Sequence, residues 1–125
     1  MELQKISTKY AELRLQIEAM TETAGEKDKT TIWRFLEKII ALENLHYGVT
    51  NFRFLLEDVE DEESRSLIQK HFHILMTTVY IDYLNDIIDA AETWKVIGSD
   101  MRALQVTIHN TLVPIRDFYQ EQFNF

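Results

Sequence analysis

The chain has 125 residues, of which 46% are hydrophobic and 27% charged, and a formal net charge of −8. This is the composition of one ordinary globular domain rather than a disordered tail or a multidomain enzyme. Zero Cys excludes disulfides, thiolate metal sites and cysteine nucleophiles, and three Gly with one Pro are too few for an all-β chain.

Met1-Glu2-Leu3-Gln4-Lys5 opens directly on a polar, amphipathic pattern with no apolar signal core. From there Leu3, Ile6, Tyr10, Leu13, Ile17, Met20 and Ala24 recur at alternating steps of three and four. The spacing predicts a helix over about residues 2–24 with a heptad seam. Gly25 suits a left-handed helix stop, and Thr30 or Thr31 a cap for the next helix. That second helix carries Phe35, Ile39, Leu42, His46, Val49, Phe52, Leu56 and Val59 on one stripe, with Gly48 as a place where it can bend or break.

A third helix is predicted over about residues 62–97, ~54 Å long, on the stripe Ile68, Phe72, Leu75, Val79, Tyr83, Ile87, Ala91 and Trp94. Gly98-Ser99 reads as a stop and cap. The fourth helix carries Met101, Leu104, Ile108, Leu112, Ile115 and Tyr119, with Pro114 inside it as an expected kink. The tail is rich in aromatics: Phe118, Tyr119, Phe123 and Phe125 either cover the end of the chain's own bundle or anchor a partner.

These elements predict an all-α, four-helix up-down-up-down bundle over residues 1–125, or five helices if the second breaks at Gly48. The third helix overhangs the shorter first and fourth. With Ile87, Ile88, Trp94, Val96 and Ile97 on the overhang, a bent second helix or a second subunit is expected to cover it, so a homodimer is one expectation. No apolar run approaches the ~20 residues of a membrane span, and a cytoplasmic location without membrane contact is expected.

The charge is concentrated. Between Glu57 and Asp100 there are 11 acids against Arg65, Lys70 and Lys95, which is 3 − 11 = −8; the other 81 residues carry 10 of each sign. Two clusters hold the excess: Glu57, Asp58, Glu60, Asp61, Glu62 and Glu63 in the turn before the third helix, and Asp82, Asp86, Asp89 and Glu92 at helical spacing along it. A field of this sign repels phosphate backbones, so direct nucleic-acid binding through this region is not expected, and it attracts cationic partners. These ten residues are the expected contact surface for a basic protein, which the chain would bind and so inhibit or neutralise. Acids in the first turn of a helix also complement its positive end.

Other constellations point elsewhere. Glu43-x-x-His46 is the i, i+3 pair that di-iron carboxylate bundles use, but it has no second copy. His71 and His73 lie about 200° apart on a helix and do not share an ion. Glu60 and Glu63 with Asp86 and Asp89 loosely resemble the acid-rich helices of all-α nucleotide pyrophosphohydrolases, a resemblance that implies a metal-dependent phosphohydrolase. Arg102-x6-His109 resembles the Arg and His pattern of the HEPN superfamily of small, often dimeric helical bundles. It implies a ribonuclease in which Arg102 binds a phosphate and His109 moves a proton, although Ala103 stands where that family usually has a polar residue. Arg65-x5-His71 fits the same loose spacing. No phosphate-cradling glycine loop is present, and no residue set demands a cofactor or a metal. The expected function is therefore protein binding through the acidic face, with the two enzyme readings as alternatives.

Overall fold

The computed structural model describes residues 3–93 and 99–123, and every element in them is helical. They are α1 (Leu3–Thr23), α2 (Glu26–Asp58), α3 (Glu62–Ile74), a π-helical segment (Leu75–Ile81), α4 (Asp82–Thr93) and α5 (Ser99–Phe123). The last residue of α3 and the first residues of the π segment and of α4 keep right-handed helical backbone, so residues 62–93 form one uninterrupted run.

α1 follows its seam. Ile6, Tyr10, Leu13 and Ile17 are buried, with Met20 and Ala24 half-buried against the core. Gly25 does not take the left-handed conformation expected of it. At φ −67° and ψ 160° it is extended and stands as the N-cap of α2, its carbonyl accepting from the amides of Asp28 and Lys29. Glu26 and Asp28 occupy the first turn, where carboxylates favour the helix's positive end. The helix therefore starts several residues before Thr30 and Thr31, which lie inside it.

α2 continues through Gly48, which removes the five-helix alternative based on a break there. Ile39, Leu42, His46 and Val49 are buried on either side of that glycine. Their burial, at ~25 cal/mol per Å², outweighs the ~1 kcal/mol that Gly costs in a helix.

The expected stripe holds at Phe72, Ile87 and Ala91 and fails between them. Val79 is 42% exposed and Leu75 only half-buried, whereas Met76 and Tyr80 are fully buried. From Phe72 the core positions advance by four three times, through Met76 and Tyr80 to Leu84. On a 3.6-residue helix those steps drift well off one face; the wider i→i+5 turns of the π segment absorb the drift. Beyond it Ile87, Ile88 and Ala91 are buried by the chain's own helices.

α5 keeps the stripe from Met101 to Tyr119 and runs on past Pro114, an exposed residue between buried Leu112 and Ile115. α1 packs on α2 and α5, α5 on α4 and the π segment, and α2 on α3, the π segment and α4. Along α4 and α5 the paired residues fall on one helix as they rise on the other: Glu92 with His109, then Asn85 with Arg116.

An overhang lies at the N-terminal end of the long run. α3 packs on α2 and buries only Phe72, whose ring is 6.2 Å from that of Phe52. The 21-residue α1 is too short to follow α2 along its 33 residues, so the C-terminal part of α2 and α3 form a two-helix arm. Ile87 and Ile88, expected to need a cover, are 1% exposed. Trp94, Val96, Ile97 and Gly98 lie outside the described residues.

Candidate functional site

The interior holds a polar chain that four elements assemble. Tyr10 of α1, His46 of α2, Tyr80 of the π segment and Tyr119 of α5 are all buried at 1% exposure or less. The Tyr10 and Tyr80 hydroxyls are hydrogen-bonded to each other, and the Tyr119 hydroxyl lies 2.8 Å from Nδ1 of His46. The Tyr80 and Tyr119 rings meet edge to face at 5.0 Å. Burial pushes the Tyr10 and Tyr80 hydroxyls well above the ordinary tyrosine range. No buried side-chain nitrogen or oxygen among the described residues lacks a partner, so the network is closed. Its chemistry is that of a fully satisfied core pin, which selects one packing of the helices.

This arrangement divides Glu43 from His46. Glu43 accepts from Nε of Arg14 at 3.0 Å, and Arg14 also reaches Glu18, while His46 turns to Tyr119. Three of the network's members stood on core stripes in the sequence, and polar-tipped rings at such positions require internal partners. Tyr80 was off its stripe, so nothing local joined it to them.

Nine of the ten acidic residues fall in two separate patches, as their spacing in the sequence divides them, and Glu92 stands apart. Glu57, Asp58, Glu60, Asp61, Glu62 and Glu63 are all exposed at the end of the α2–α3 arm. Asp61 is the N-cap of α3, its carboxylate accepting from the Ser64 amide at 3.1 Å and the Ser64 hydroxyl at 2.7 Å. Those hydrogen bonds hold its carboxyl below the usual aspartate range. Arg65 donates from its guanidinium to the Val59 carbonyl and closes the turn. Asp82 lies ~30 Å further along the helical run from Glu62.

The second patch has an apolar floor. Asp82 and Asp86 flank an open groove between α2 and the π segment and α4, lined also by Ala41, Leu45, Val79 and Tyr83. Asp89 is exposed on the same strip. Glu92 departs from it and faces α5, where its Oε1 is 2.9 Å from Nδ1 of His109.

Arg102 and His109 are both exposed, ~10 Å apart along α5, and His109 is engaged by Glu92. His71 and His73 are exposed on α3. Among the described residues no three His, Asp or Glu side chains gather into a group that could hold a metal ion, so Glu60 and Glu63 are not joined with Asp86 and Asp89 in one. Of the aromatic tail, Tyr119 is buried and Phe118 packs half-buried against the core; Phe125 and the Phe123 side chain lie outside the described residues.

Sequence reasoning missed the exposed apolar residues of the arm: Phe54, Leu55, Leu67 and Ile74 are 46% exposed or more. Only their positions off the core stripes marked them. Among the described residues, no helix is long and apolar enough to cross a membrane. Comparison of the chain with protein-family models, curated proteins and solved structures gives no match.

Proposed function

We propose that the chain is a four-helix, up-down-up-down interaction protein that binds, and by binding inhibits or neutralises, a basic protein partner. The observation that carries this reading is the groove between α2 and α4, where Asp82 and Asp86 border an apolar floor of Ala41, Leu45, Val79 and Tyr83. That combination suits an amphipathic cationic helix, its apolar stripe on the floor and its lysines or arginines against the carboxylates. The carboxylates of the arm tip add long-range attraction that speeds encounter without fixing the docked pose.

The test uses a synthetic amphipathic helix of leucine and lysine as probe, followed by fluorescence anisotropy against increasing salt. The double variant Asp82→Asn, Asp86→Asn is expected to weaken binding roughly tenfold at low salt, through loss of two partly desolvated ion pairs. Glu60→Gln with Glu63→Gln removes the same charge from the arm tip and is expected to slow association while leaving the dissociation rate unchanged. Equal losses of affinity in the two double variants would assign the binding to net charge alone and overturn the groove.

A further inference from the structure

We infer that a second copy of this chain docks antiparallel along the outer face of α2, on a seam of Trp33, Ile40, Tyr47 and Phe54. These residues are spaced by seven and are 52%, 37%, 50% and 61% exposed. Scattered exposed apolar residues are ordinary on a surface helix, but four at the same heptad position form one continuous line. A seven-residue repeat is the period at which one helix winds against another. The seam is ~32 Å long from Trp33 to Phe54. It lies roughly a third of a turn round α2 from Ala41 and Leu45, so it is separate from the proposed groove.

The occupant follows from the symmetry of the seam. A two-fold axis passing between Glu43 and Asn44 sets Ile40 against Tyr47 of the partner subunit and Trp33 against Phe54 of the partner subunit. The same axis brings Lys29 to Asp58 of the partner subunit, at both ends of the interface. Asp58 is exposed and Lys29 partly so, and both lie on the same side of α2 as the seam. A parallel pairing would set Asp58 against Asp58 of the partner subunit and Lys29 against Lys29 of the partner subunit, with like charges meeting at each end. Lys29 already lies 3.8 Å from Glu26 of its own helix, so Asp58 of the partner subunit would extend that exposed ion pair, and the two ends of the seam match each other as a two-fold surface requires. Asn44 stands beside the axis, where its amide can donate to and accept from Asn44 of the partner subunit and fix the register.

The chain has no cysteine, so single-cysteine variants report the geometry directly. Under mild oxidation Asn44→Cys is expected to form a disulfide-linked dimer. Lys29→Cys and Asp58→Cys are each expected to stay unlinked alone and to cross-link when mixed. Sedimentation of the unmodified protein is expected to show a dimer that Ile40→Lys and Tyr47→Lys convert to monomer, with helical content by circular dichroism unchanged because both side chains are exposed. A monomer at all concentrations up to the submillimolar range would overturn the proposal. So would self-linking of Lys29→Cys or Asp58→Cys, which is the mark of a parallel pairing, or a dimer that both lysine variants leave intact.

Discussion

Tyr80 is the residue at the centre of the interior network, because its hydroxyl bonds to Tyr10 and its ring packs edge to face on Tyr119. Removing that hydroxyl leaves the buried Tyr10 hydroxyl without its partner, while Tyr119 keeps His46. Tyr80→Phe is expected to cost ~1–3 kcal/mol in denaturant unfolding, whereas Val106→Ala at an exposed position of α5 is expected to stay within ~0.5 kcal/mol. The pH dependence has a definite sign. The folded-state pKa values of Tyr10 and Tyr80 are raised by burial, so their contribution to stability is intact below the unfolded tyrosine pKa of about 10 and is lost as pH rises beyond it. Alkaline unfolding monitored by circular dichroism is expected to set in above that value. At this scale the sequence was partly legible. Core positions for Tyr10, His46 and Tyr119 followed from periodicity, but their meeting did not, since His46 and Tyr119 are 73 residues apart in the chain.

At the scale of elements, helices α1 and α5 match their patterns because each buries one stripe on one set of neighbours. The long run from Glu62 to Thr93 does so only in part, because its face is shared out: α3 lies mainly against α2, while α4 lies against both α2 and α5. The π segment is where the run changes from one set of neighbours to the other. Met76→Ala is therefore expected to destabilise by ~2–4 kcal/mol, and Val79→Ala, on the exposed side, by less than ~0.5 kcal/mol. Equal losses in thermal or urea unfolding would restore the continuous α-helical stripe. The beginning of α2 was misplaced for a local reason. Thr30 and Thr31 are suitable caps, but the extended backbone of Gly25 starts the helix earlier, and Glu26 and Asp28 support that start.

For the whole molecule, unequal helix lengths matter most. The arm formed by the end of α2 and by α3 carries six exposed carboxylates and several exposed apolar side chains on a thin support, with Phe72 the one buried residue of α3. Regions with few buried contacts open at lower free energy than the core. Native-state hydrogen exchange is expected to show α3 amides exchanging faster than those in the middle of α2 and of α5. Uniform protection across these helices would mean that something covers the arm in solution.

The sequence by itself determined that the chain is helical, which residues from Ile6 to Ile17, from Phe35 to Val49 and from Met101 to Tyr119 carry the core stripes of α1, α2 and α5, and that the surplus negative charge lies between Glu57 and Asp100. Those properties are written in residues three, four or seven apart, which the helix brings together whatever surrounds it. The tertiary structure alone decided the shift of register at Met76 and Tyr80, the two-helix arm made by α3 and the end of α2, the closure of the tyrosine–histidine chain, and the apolar groove that Asp82 and Asp86 border. Each of these depends on which helix lies beside which and for how far. That is set by packing between segments distant in the chain, and local periodicity carries no record of it.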